Sequence, residues 1–389
     1  MDKKWAEKIS MRLAFCLFKY FPFGGLQRDF RQIAEICLKR GHEVFVNTML
    51  WKGDIPAGFN ITVFKPKGMT NHQRCWNFSE IVNKHLSKTN FDLIIGFNKM
   101  HGLDIYYAAD PCFKARVYES GSKIKKLLPR YRTYIALEKE VFDKKSNTKI
   151  MLISEIEKPK YIRYYGTQSS RFHILPPYIS KDRIIRDENH NIRKKICNKL
   201  EIDFNHFLLL TVGSSFKTKG LDRSLRAIAA LPENLKNKTI LLIIGDDNSS
   251  PFIKLAKKLN IDSRIIFLGG REDVPEFMAA SDLLLHPAYT ENTGTVLIEA
   301  MAAGLPVIAT EICGYSFHIR KADAGLLIPS PFKQHDFNNM LSYMMTSDYK
   351  QKWKENGLRY ISRNDFFSMP EKAADIIEKY AEQKRNIGT

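Results

Sequence analysis

Two series of short apolar segments run through this chain, and the double proline Pro176-Pro177 separates them. Each segment precedes a stretch with helical periodicity, as residues 11–18 precede the amphipathic residues 26–39. This alternation is typical of parallel sheets covered by helices on both faces. The sequence therefore predicts an α/β protein with two doubly wound, Rossmann-like domains facing a cleft. The predicted strands are residues 11–18, 43–48, 92–97 and 149–154 before the prolines, and 207–212, 239–244, 264–268, 283–286 and 307–310 after them.

The predicted domain boundaries follow from the double proline and from the two series of apolar segments. Residues 1–175 form the first domain, residues 176–190 a linker, and residues 191–362 the second domain. Two consecutive prolines interrupt a helix or a central strand, which favours a linker at this point. Residues 363–389 form a tail whose pattern is helical, beyond the last strand of the second domain. A chain of 389 residues is long enough for each domain to bury its own core.

The overall charge constrains the partners. There are 61 Lys and Arg against 42 Asp and Glu, a net charge of +19. This excess favours nucleic acid, an anionic membrane surface or phosphorylated substrates, and charge alone does not choose among them. No apolar run reaches the roughly 20 residues that span a bilayer, and residues 1–10 lack the apolar core of a secretory signal. We expect a cytoplasmic protein whose six scattered cysteines are reduced.

The strongest functional signal is a pair of glutamates after the predicted strand that ends at His286. A loop opens a helix there, and backbone amides at a helix N-terminus favour a diphosphate. The two carboxylates are eight residues apart, a little over two helical turns, so each can face a different end of an extended ligand. The alternative for Glu299 is a solvated helix residue. The predicted ligand-binding residues are Glu291, Asn292, Thr293, Gly294, Thr295 and Glu299.

This Glu-x7-Glu motif, with its Ala-x-Gly-x-Pro-Val continuation to Val307, resembles that of the retaining glycosyltransferases of family 4, which have the GT-B fold. The resemblance implies that the second domain holds a nucleotide-sugar donor. It implies that Glu299 contacts the ribose hydroxyls and that Glu291 lies near the donor sugar. It also implies that the turn containing Arg271 and Val274 holds the base through backbone groups.

Other segments resemble one branch of that family, the lipopolysaccharide core glucosyltransferases. They are residues 16–29, 96–104, 108–110, 131–132, 174–177 and 368–377, so the resemblance extends over nearly the whole chain. It implies a peripheral enzyme on the inner leaflet of the bacterial inner membrane, which adds glucose from UDP-glucose to a heptose of the lipopolysaccharide core. It also implies a tail helix that returns to the first domain. The choice of UDP and of glucose rests on this resemblance alone.

Fixed cations are expected to neutralise the diphosphate as it departs, in place of a metal ion. Lys219 stands where the first helix of the second domain begins. The resemblance implies the same role for Arg183, which follows the double proline. The alternatives are a solvated helix start and an interdomain surface charge. The resembled branch has Arg-Lys where this chain has Thr218-Lys219, so Lys217 is a candidate replacement for the missing charge. Tyr178 stands where the branch has glycine.

In the first domain, Gly24 and Gly25 follow the first strand, where ligands approach open parallel sheets. A simple turn is the alternative. Asp110 follows another apolar stretch. The resemblance implies that it lies near the reacting sugars, and the alternative is a cap at the end of a strand. No metal site is expected, because Asp246-Asp247-Asn248 lacks a third acidic ligand nearby. The predicted catalytic residues are Asp110, Arg183, Lys219 and Glu291, acting by front-side displacement.

A basic and aromatic segment follows Asp110. Between residues 113 and 132 there are seven basic residues and one acid, interleaved with aromatic and leucine side chains. This composition favours an anionic bilayer surface, and a solvated helix face is the alternative. The predicted membrane-binding residues are Lys114, Arg116, Lys123, Lys125, Lys126, Arg130 and Arg132.

Three other classes compete with this prediction. A GT-B epimerase or phosphorylase shares the architecture, although no lysine stands out as a pyridoxal phosphate ligand. A family 4 transferase with another donor or acceptor shares the motif. A nucleic-acid-binding protein would explain the charge, but the sequence has no zinc, RNP or helix-turn-helix pattern, so no nucleic-acid partner is expected.

Overall fold

The structure is a computed structural model that describes residues 10–22, 24–119, 121, 124–181, 184 and 191–388. For Ile124, Lys125 and residues 387–388 it describes the backbone alone. The chain divides into two compact units. One comprises Met1–Pro176 together with Ser368–Thr389, and the other comprises Pro177–Phe367.

The first unit is built on a parallel sheet of seven strands. These are β1 (Arg12–Cys16), β2 (Glu43–Thr48), β3 (Phe59–Val63), β4 (Leu93–Gly96), β5 (Ile105–Ala108), β6 (Lys149–Leu152) and β7 (Phe172–Ile174). Their order in the sheet is β3-β2-β1-β4-β5-β6-β7. Leu13 of β1 is opposite Val44 of β2 on one side and Leu93 of β4 on the other. The winding direction reverses between β1 and β4, and a crevice for ligands opens at the carboxyl ends of such strands.

Helices cover this sheet because their apolar residues fall on one face. In α1, Phe30, Ile33, Ala34 and Cys37 recur at helical spacing and are buried. Helix α2 begins with a capping box between Thr70 and Gln73. The first-unit helices before the double proline are α1 (Gly25–Lys39), α2 (Asn71–Leu86), α3 (Phe113–Glu119), α4 (Pro129–Phe142) and α5 (Lys158–Tyr165).

The second unit contains a parallel sheet of six strands. These are β8 (Phe207–Val212), β9 (Thr239–Ile244), β10 (Ile265–Phe267), β11 (Leu283–His286), β12 (Val307–Thr310) and β13 (Gly325–Ile328), in the order β10-β9-β8-β11-β12-β13. The winding direction reverses between β8 and β11, so the ligand crevice of this unit is expected at their carboxyl ends. Its helices are α6 (Asn191–Lys199), α7 (Leu221–Ala229), α8 (Glu233–Lys236), α9 (Ser250–Lys258), α10 (Val274–Ala280), α11 (Thr295–Ala302), α12 (Ser316–Ala322), α13 (Gln334–Thr346) and α14 (Lys350–Arg363).

The tail helix α15 (Met369–Gly388) packs on the first unit against α1. Its buried face consists of Ala373, Ala374, Ile377 and Ala381. Charged pairs flank that face: Arg40 of the first unit binds Asp375 at 2.7 Å and Glu378 at 3.0 Å, and Lys384 binds Asp104 at 2.7 Å. The last helix of the chain is thus part of the core of the unit that begins the chain.

Each predicted strand segment corresponds to a strand of the structure. Four strands were not predicted: β3, β5, β7 and β13. All six cysteines are free and buried, in agreement with the prediction that they are packing residues. Within the described residues, no helix has both the length and the apolar character needed to cross a membrane.

Candidate active site

The glutamate motif lies at the carboxyl end of β11 in the second unit. Gly294 caps α11 with φ of 83°, in the left-handed region, where a side chain would be strained and where a Cβ would meet Leu297 and Glu291 at 3.3 to 3.4 Å. Thr295 is the first residue of the helix. Glu299 is only 7 % exposed, so the solvated alternative is wrong. The loop is held by Thr293, whose carbonyl accepts the Tyr315 amide at 2.7 Å.

A lysine, a glutamate and a histidine meet at the carboxyl ends of the neighbouring strands β8 and β11. Lys219 Nζ donates to Glu291 Oε2, and His286 Nε2 lies 3.1 Å from the same oxygen. The His286 side chain is fully buried, and the Glu291 side chain is 12 % exposed. Burial acts to raise the pKa of Glu291, but His286 and Lys219 outweigh it and lower that pKa from 4.5 to about 2. Glu291 is therefore a carboxylate at neutral pH.

Gly213 makes room for the lysine. It follows β8 with φ of 137°, and a Cβ at this position would lie 3.2 Å from Lys219 Cε. The aliphatic part of Lys219 thus lies against the backbone at the end of the strand. The Lys219 amide also donates to the Ser215 carbonyl at 3.1 Å. Because these local contacts hold the base of the side chain, the ammonium group is kept beside Glu291.

Lys217 has a different environment. Its Nζ binds Asp222 at 3.2 Å and lies 4.9 Å from the Tyr289 ring centroid. The Tyr289 hydroxyl donates to Asp222 at 2.9 Å, and Arg223 stacks on the Tyr289 ring at 3.6 Å. These contacts stabilise the segment between β11 and Glu291. In the structure, the charge of Lys217 is directed at Asp222 and not at the Lys219–Glu291 pair.

The turn after β10 carries the residues expected to hold the base. Arg271 forms two hydrogen bonds of 2.6 Å with Asp273, and Val274 begins α10. The Arg271 guanidinium lies 4.8 Å from the Phe277 ring centroid. Because the Arg271 side chain is paired with Asp273, it contributes to the shape of the turn.

In the first unit, the predicted residues lie at the carboxyl ends of β1 and β5. Gly24 is the N-cap of α1, and a Cβ there would lie 1.9 Å from Gln27 Oε1, so a side chain at this position would displace Gln27. A Cβ on Gly25 would meet nothing within 4 Å, so its backbone is open to approach. Among the described residues, the Asp110 carboxylate has no hydrogen-bond or ion-pair partner, which argues against the strand-end cap. It lines a cavity of about 310 Å³.

The predicted membrane-binding residues do not share one environment. Lys114 Nζ donates to the Tyr164 carbonyl at 2.9 Å and lies 4.7 Å from the Tyr165 ring centroid. Lys126 Nζ lies 4.2 Å from the Tyr118 ring centroid. Arg116, Arg130 and Arg132 are exposed, and the first two line the cavity beside Asp110. Arg183, Lys123 and the side chain of Lys125 lie outside the described residues.

Sequence reasoning missed His286 and Glu138. The position of His286 at the end of a predicted strand, five residues before Glu291, was a usable signal. Glu138 is fully buried and accepts hydrogen bonds from Lys99 Nζ at 2.6 Å and from the Phe113 and Lys114 amides at 2.7 and 2.8 Å. It lies in a polar, helical stretch and had no sequence signal. Glu138 fixes the start of α3, directly after Asp110.

Acidic residues do not assemble into a metal site in the described part of the chain, where no group of three or more His, Cys, Asp or Glu side chains could hold a metal ion. The candidate segment 246–248 has a local role. Asp247 accepts the Phe216 amide at 2.7 Å and the Asn248 amide at 2.8 Å.

Two doubly wound units, with a lysine, a glutamate and a histidine together at the carboxyl ends of the second sheet, are the arrangement expected of a GT-B glycosyltransferase. Residues 192–360 match the family of glycosyl transferases group 1. The chain is 45% identical to the lipopolysaccharide glucosyltransferase WaaG of Escherichia coli (strain K12), over 94% of this chain and 98% of that protein. This chain belongs to the group 1 glycosyltransferase family.

Solved structures agree with this assignment. The crystal structure of WaaG, a glycosyltransferase involved in lipopolysaccharide biosynthesis, superposes with a TM-score of 0.90 at 44% identity, covering 94% of this chain and 99% of that one. The structure of Anabaena HepE in complex with UDP and glucose superposes with a TM-score of 0.73 at 18% identity, covering 95% of this chain and 100% of that one. At that identity HepE supports the fold alone.

Proposed function

We propose that this enzyme transfers glucose from UDP-glucose to a heptose of the lipopolysaccharide inner core, with retention of the anomeric configuration. One observation carries the choice of sugar and acceptor: the 45% identity to the lipopolysaccharide glucosyltransferase WaaG along almost the full length of both chains. The family membership supports the reaction type. The uridine nucleotide rests on the resemblance to the core glucosyltransferases.

The Lys219–Glu291 pair supports a different role for each of its two residues in this reaction. The bond between the anomeric carbon and the β-phosphate oxygen of the donor breaks, and the acceptor oxygen bonds to that carbon on the same face. The acceptor proton passes to the leaving phosphate. Lys219 stabilises the negative charge that develops on the diphosphate. Because the pKa of Glu291 is lowered to about 2, its carboxylate is suited to accepting hydrogen bonds from the sugar hydroxyls and not to donating a proton.

We propose that no metal ion takes part. A cation is needed where the diphosphate departs, and Lys219 supplies one at the carboxyl end of β8. The motif residues Thr293, Gly294 and Thr295 supply backbone amides at the start of α11. Arg183 completes this set as a prediction from the sequence. Glu299, buried in α11, is proposed to bind the ribose hydroxyls.

The test is a panel of radiolabelled nucleotide-sugars offered to membranes that carry heptose-terminated lipopolysaccharide, with and without EDTA. We expect incorporation from UDP-glucose only, at the same rate in both conditions, into an alpha-linked product. Incorporation of a different sugar would show a family 4 transferase with another donor. Loss of incorporation with EDTA would overturn the proposal of metal independence, and donor turnover without any acceptor product would contradict transfer to lipopolysaccharide.

We further propose that the enzyme is peripheral on the anionic inner leaflet of the bacterial inner membrane. Leu127 is 76% exposed and Leu128 is 44% exposed, beside Lys126 and Tyr118. Exposed apolar side chains next to lysines suit a bilayer surface, where the apolar groups enter the headgroup region and the lysines attract anionic lipid. An acceptor anchored in the membrane requires an enzyme that reaches this surface.

Vesicle binding tests this surface. Changing Lys123, Lys125 and Lys126 to Ser removes three charges, each worth up to about 1 kcal/mol near an anionic bilayer. We expect this variant to lose co-sedimentation with anionic vesicles at low salt, and the unchanged enzyme to be released as salt rises. The matched control changes Lys254, Lys257 and Lys258 of α9, which are exposed on the second unit. Equal loss in the two variants would mean that net charge matters and that this surface does not.

A further inference from the structure

The cavity beside Asp110 lies at the point where the winding of the first sheet reverses. Asn98 and Lys99 follow β4, Asp110 follows β5, and Phe18 follows β1, so three adjacent strands end at this cavity. Residues of α3 and α4 form the other wall. A volume of about 310 Å³ is enough for a small polar group such as a monosaccharide with a charged substituent. This is the position where open parallel sheets bind their ligands.

The charges that line the cavity do not cancel. Lys99 is neutralised by the buried Glu138, at 2.6 Å. Arg116 and Arg130 also line the cavity, and neither forms an ion pair within 4 Å with any described residue. Asp110 is the one carboxylate among the lining residues. Two arginines thus face a single acid in a confined space, which is an environment that favours a bound anion.

The two arginines are carried by rigid elements. The start of α3, which carries Arg116, is fixed by the hydrogen bonds that Glu138 accepts from the Phe113 and Lys114 amides. The Arg116 guanidinium lies 5.1 Å from the Phe113 ring centroid. Arg130 lies in the first turn of α4, one turn before Tyr134, which also lines the cavity. Arginine is the side chain best suited to bidentate recognition of phosphate or carboxylate.

We propose that this cavity binds the acceptor through an anionic substituent, a phosphate or a carboxylate, which Arg116 and Arg130 hold. Asp110 then faces the uncharged hydroxyl groups of the same sugar. This inference rests on the proposed function, and it names the chemical class of acceptor: an acidic glycan. It also divides the basic segment into two parts, because Arg116 and Arg130 serve the acceptor, and Lys126 with its apolar neighbours serves the membrane.

The neighbouring basic residues help to distinguish acceptor binding from membrane binding. Lys114 is directed to the Tyr164 carbonyl and does not line the cavity. Lys126 lies over Tyr118 and does not line it either. If the whole segment acted only as a membrane surface, the arginines would have no reason to converge on the cavity that contains Asp110. The geometry therefore predicts that they recognise the acceptor even when no membrane is present.

The test uses an acceptor without lipid, so that membrane binding does not enter the result. Delipidated heptose-terminated core oligosaccharide is the probe, in three forms: untreated, with its phosphates removed, and with its carboxylates reduced. The variant is Arg116→Gln/Arg130→Gln. The matched control, Lys139→Gln/Arg163→Gln, removes the same charge from exposed positions of the same unit. Steady-state KM and kcat are measured for acceptor and donor.

We expect the arginine variant to raise the acceptor KM by about tenfold or more, the loss that follows removal of charge-assisted hydrogen bonds to an anion. Its donor KM should not change, and the control should match the unchanged enzyme. One of the two treated acceptors should show the same loss with the unchanged enzyme and no further loss with the variant, which identifies the anionic group. Equal acceptor KM values for variant and control would overturn the inference.

Failure of the proposed function has a different signature. In that case the unchanged enzyme transfers no glucose to the untreated oligosaccharide or to the membrane-borne acceptor. If transfer occurs and all three forms of the oligosaccharide serve equally well, the proposed function stands and the anion-binding cavity is wrong.

Discussion

Replacing Lys219 with alanine is expected to lower kcat by on the order of 100-fold, because one fixed donor to the developing charge is removed. Lys219 is the cation that directly contacts Glu291 at the carboxyl end of β8. Donor binding should weaken less than turnover, since the charge on the diphosphate oxygen grows as the glycosidic bond breaks. The measurement is single-turnover transfer from radiolabelled donor, with circular dichroism to show that the fold is intact.

Lys217→Ala is the matched control, two residues away on the same loop. Its Nζ binds Asp222, and its side chain is 71% exposed, so we expect kcat to fall by less than about threefold, as for other exposed ion pairs. A loss equal to that of Lys219→Ala would mean that Lys217 supplies the charge missing at Thr218. Turnover of Lys219→Ala within about twofold of the unchanged enzyme would contradict the role of Lys219 in stabilising the leaving group.

The second large effect concerns stability. We expect Glu138→Ala to lower the free energy of unfolding of the first unit by about 3 to 5 kcal/mol, because it leaves the ammonium group of Lys99 without its buried partner. The change also removes the acceptor of the Phe113 and Lys114 amides and of the Tyr165 hydroxyl at 2.6 Å. Hydrogen exchange of peptides from each unit under increasing urea measures this loss and assigns it to one unit.

Glu140→Ala is the control for this substitution, two residues further along α4. The Glu140 side chain is 45% exposed and lies 3.8 Å from His101, so its removal should cost less than about 1 kcal/mol. The double variant Lys99→Met/Glu138→Leu should recover part of the loss, because two apolar side chains leave no buried charge. Equal protection of first-unit peptides in the Glu138 and Glu140 variants would show that the buried pair does not stabilise the unit.

Two of the strands that the sequence predicted, β8 and β9, have a nearly continuous apolar pattern. Each of them contains one threonine among apolar residues, and almost all of their residues are buried. β3 is an edge strand that exposes most of its residues. β7 is three residues long. Because a strand of this kind is stabilised by its neighbour in the sheet and not by its own composition, its sequence alone did not identify it.

The same distinction applies to the site. Glu291, Gly294 and Glu299 belong to one short segment, so their spacing along a loop and helix was enough to predict the motif. The Lys219–Glu291 contact joins residues 72 positions apart. Only the pairing of β8 with β11 brings these two side chains together. Glu138 is the extreme case, because a charged residue on a helix is usually solvated and its burial depends on partners from other elements.

The tail helix also determines the order in which the chain can be completed during synthesis. The second unit, Pro177–Phe367, is contained within the sequence of the first, whose last segment begins at Ser368. Ala373, Ala374, Ile377 and Ala381 are buried in the first unit, so this unit lacks part of its core until the ribosome has translated α15. Multidomain chains generally fold from the N-terminus during translation. Here all residues of the second unit are synthesised before α15, so the second unit can complete its core before the first unit does.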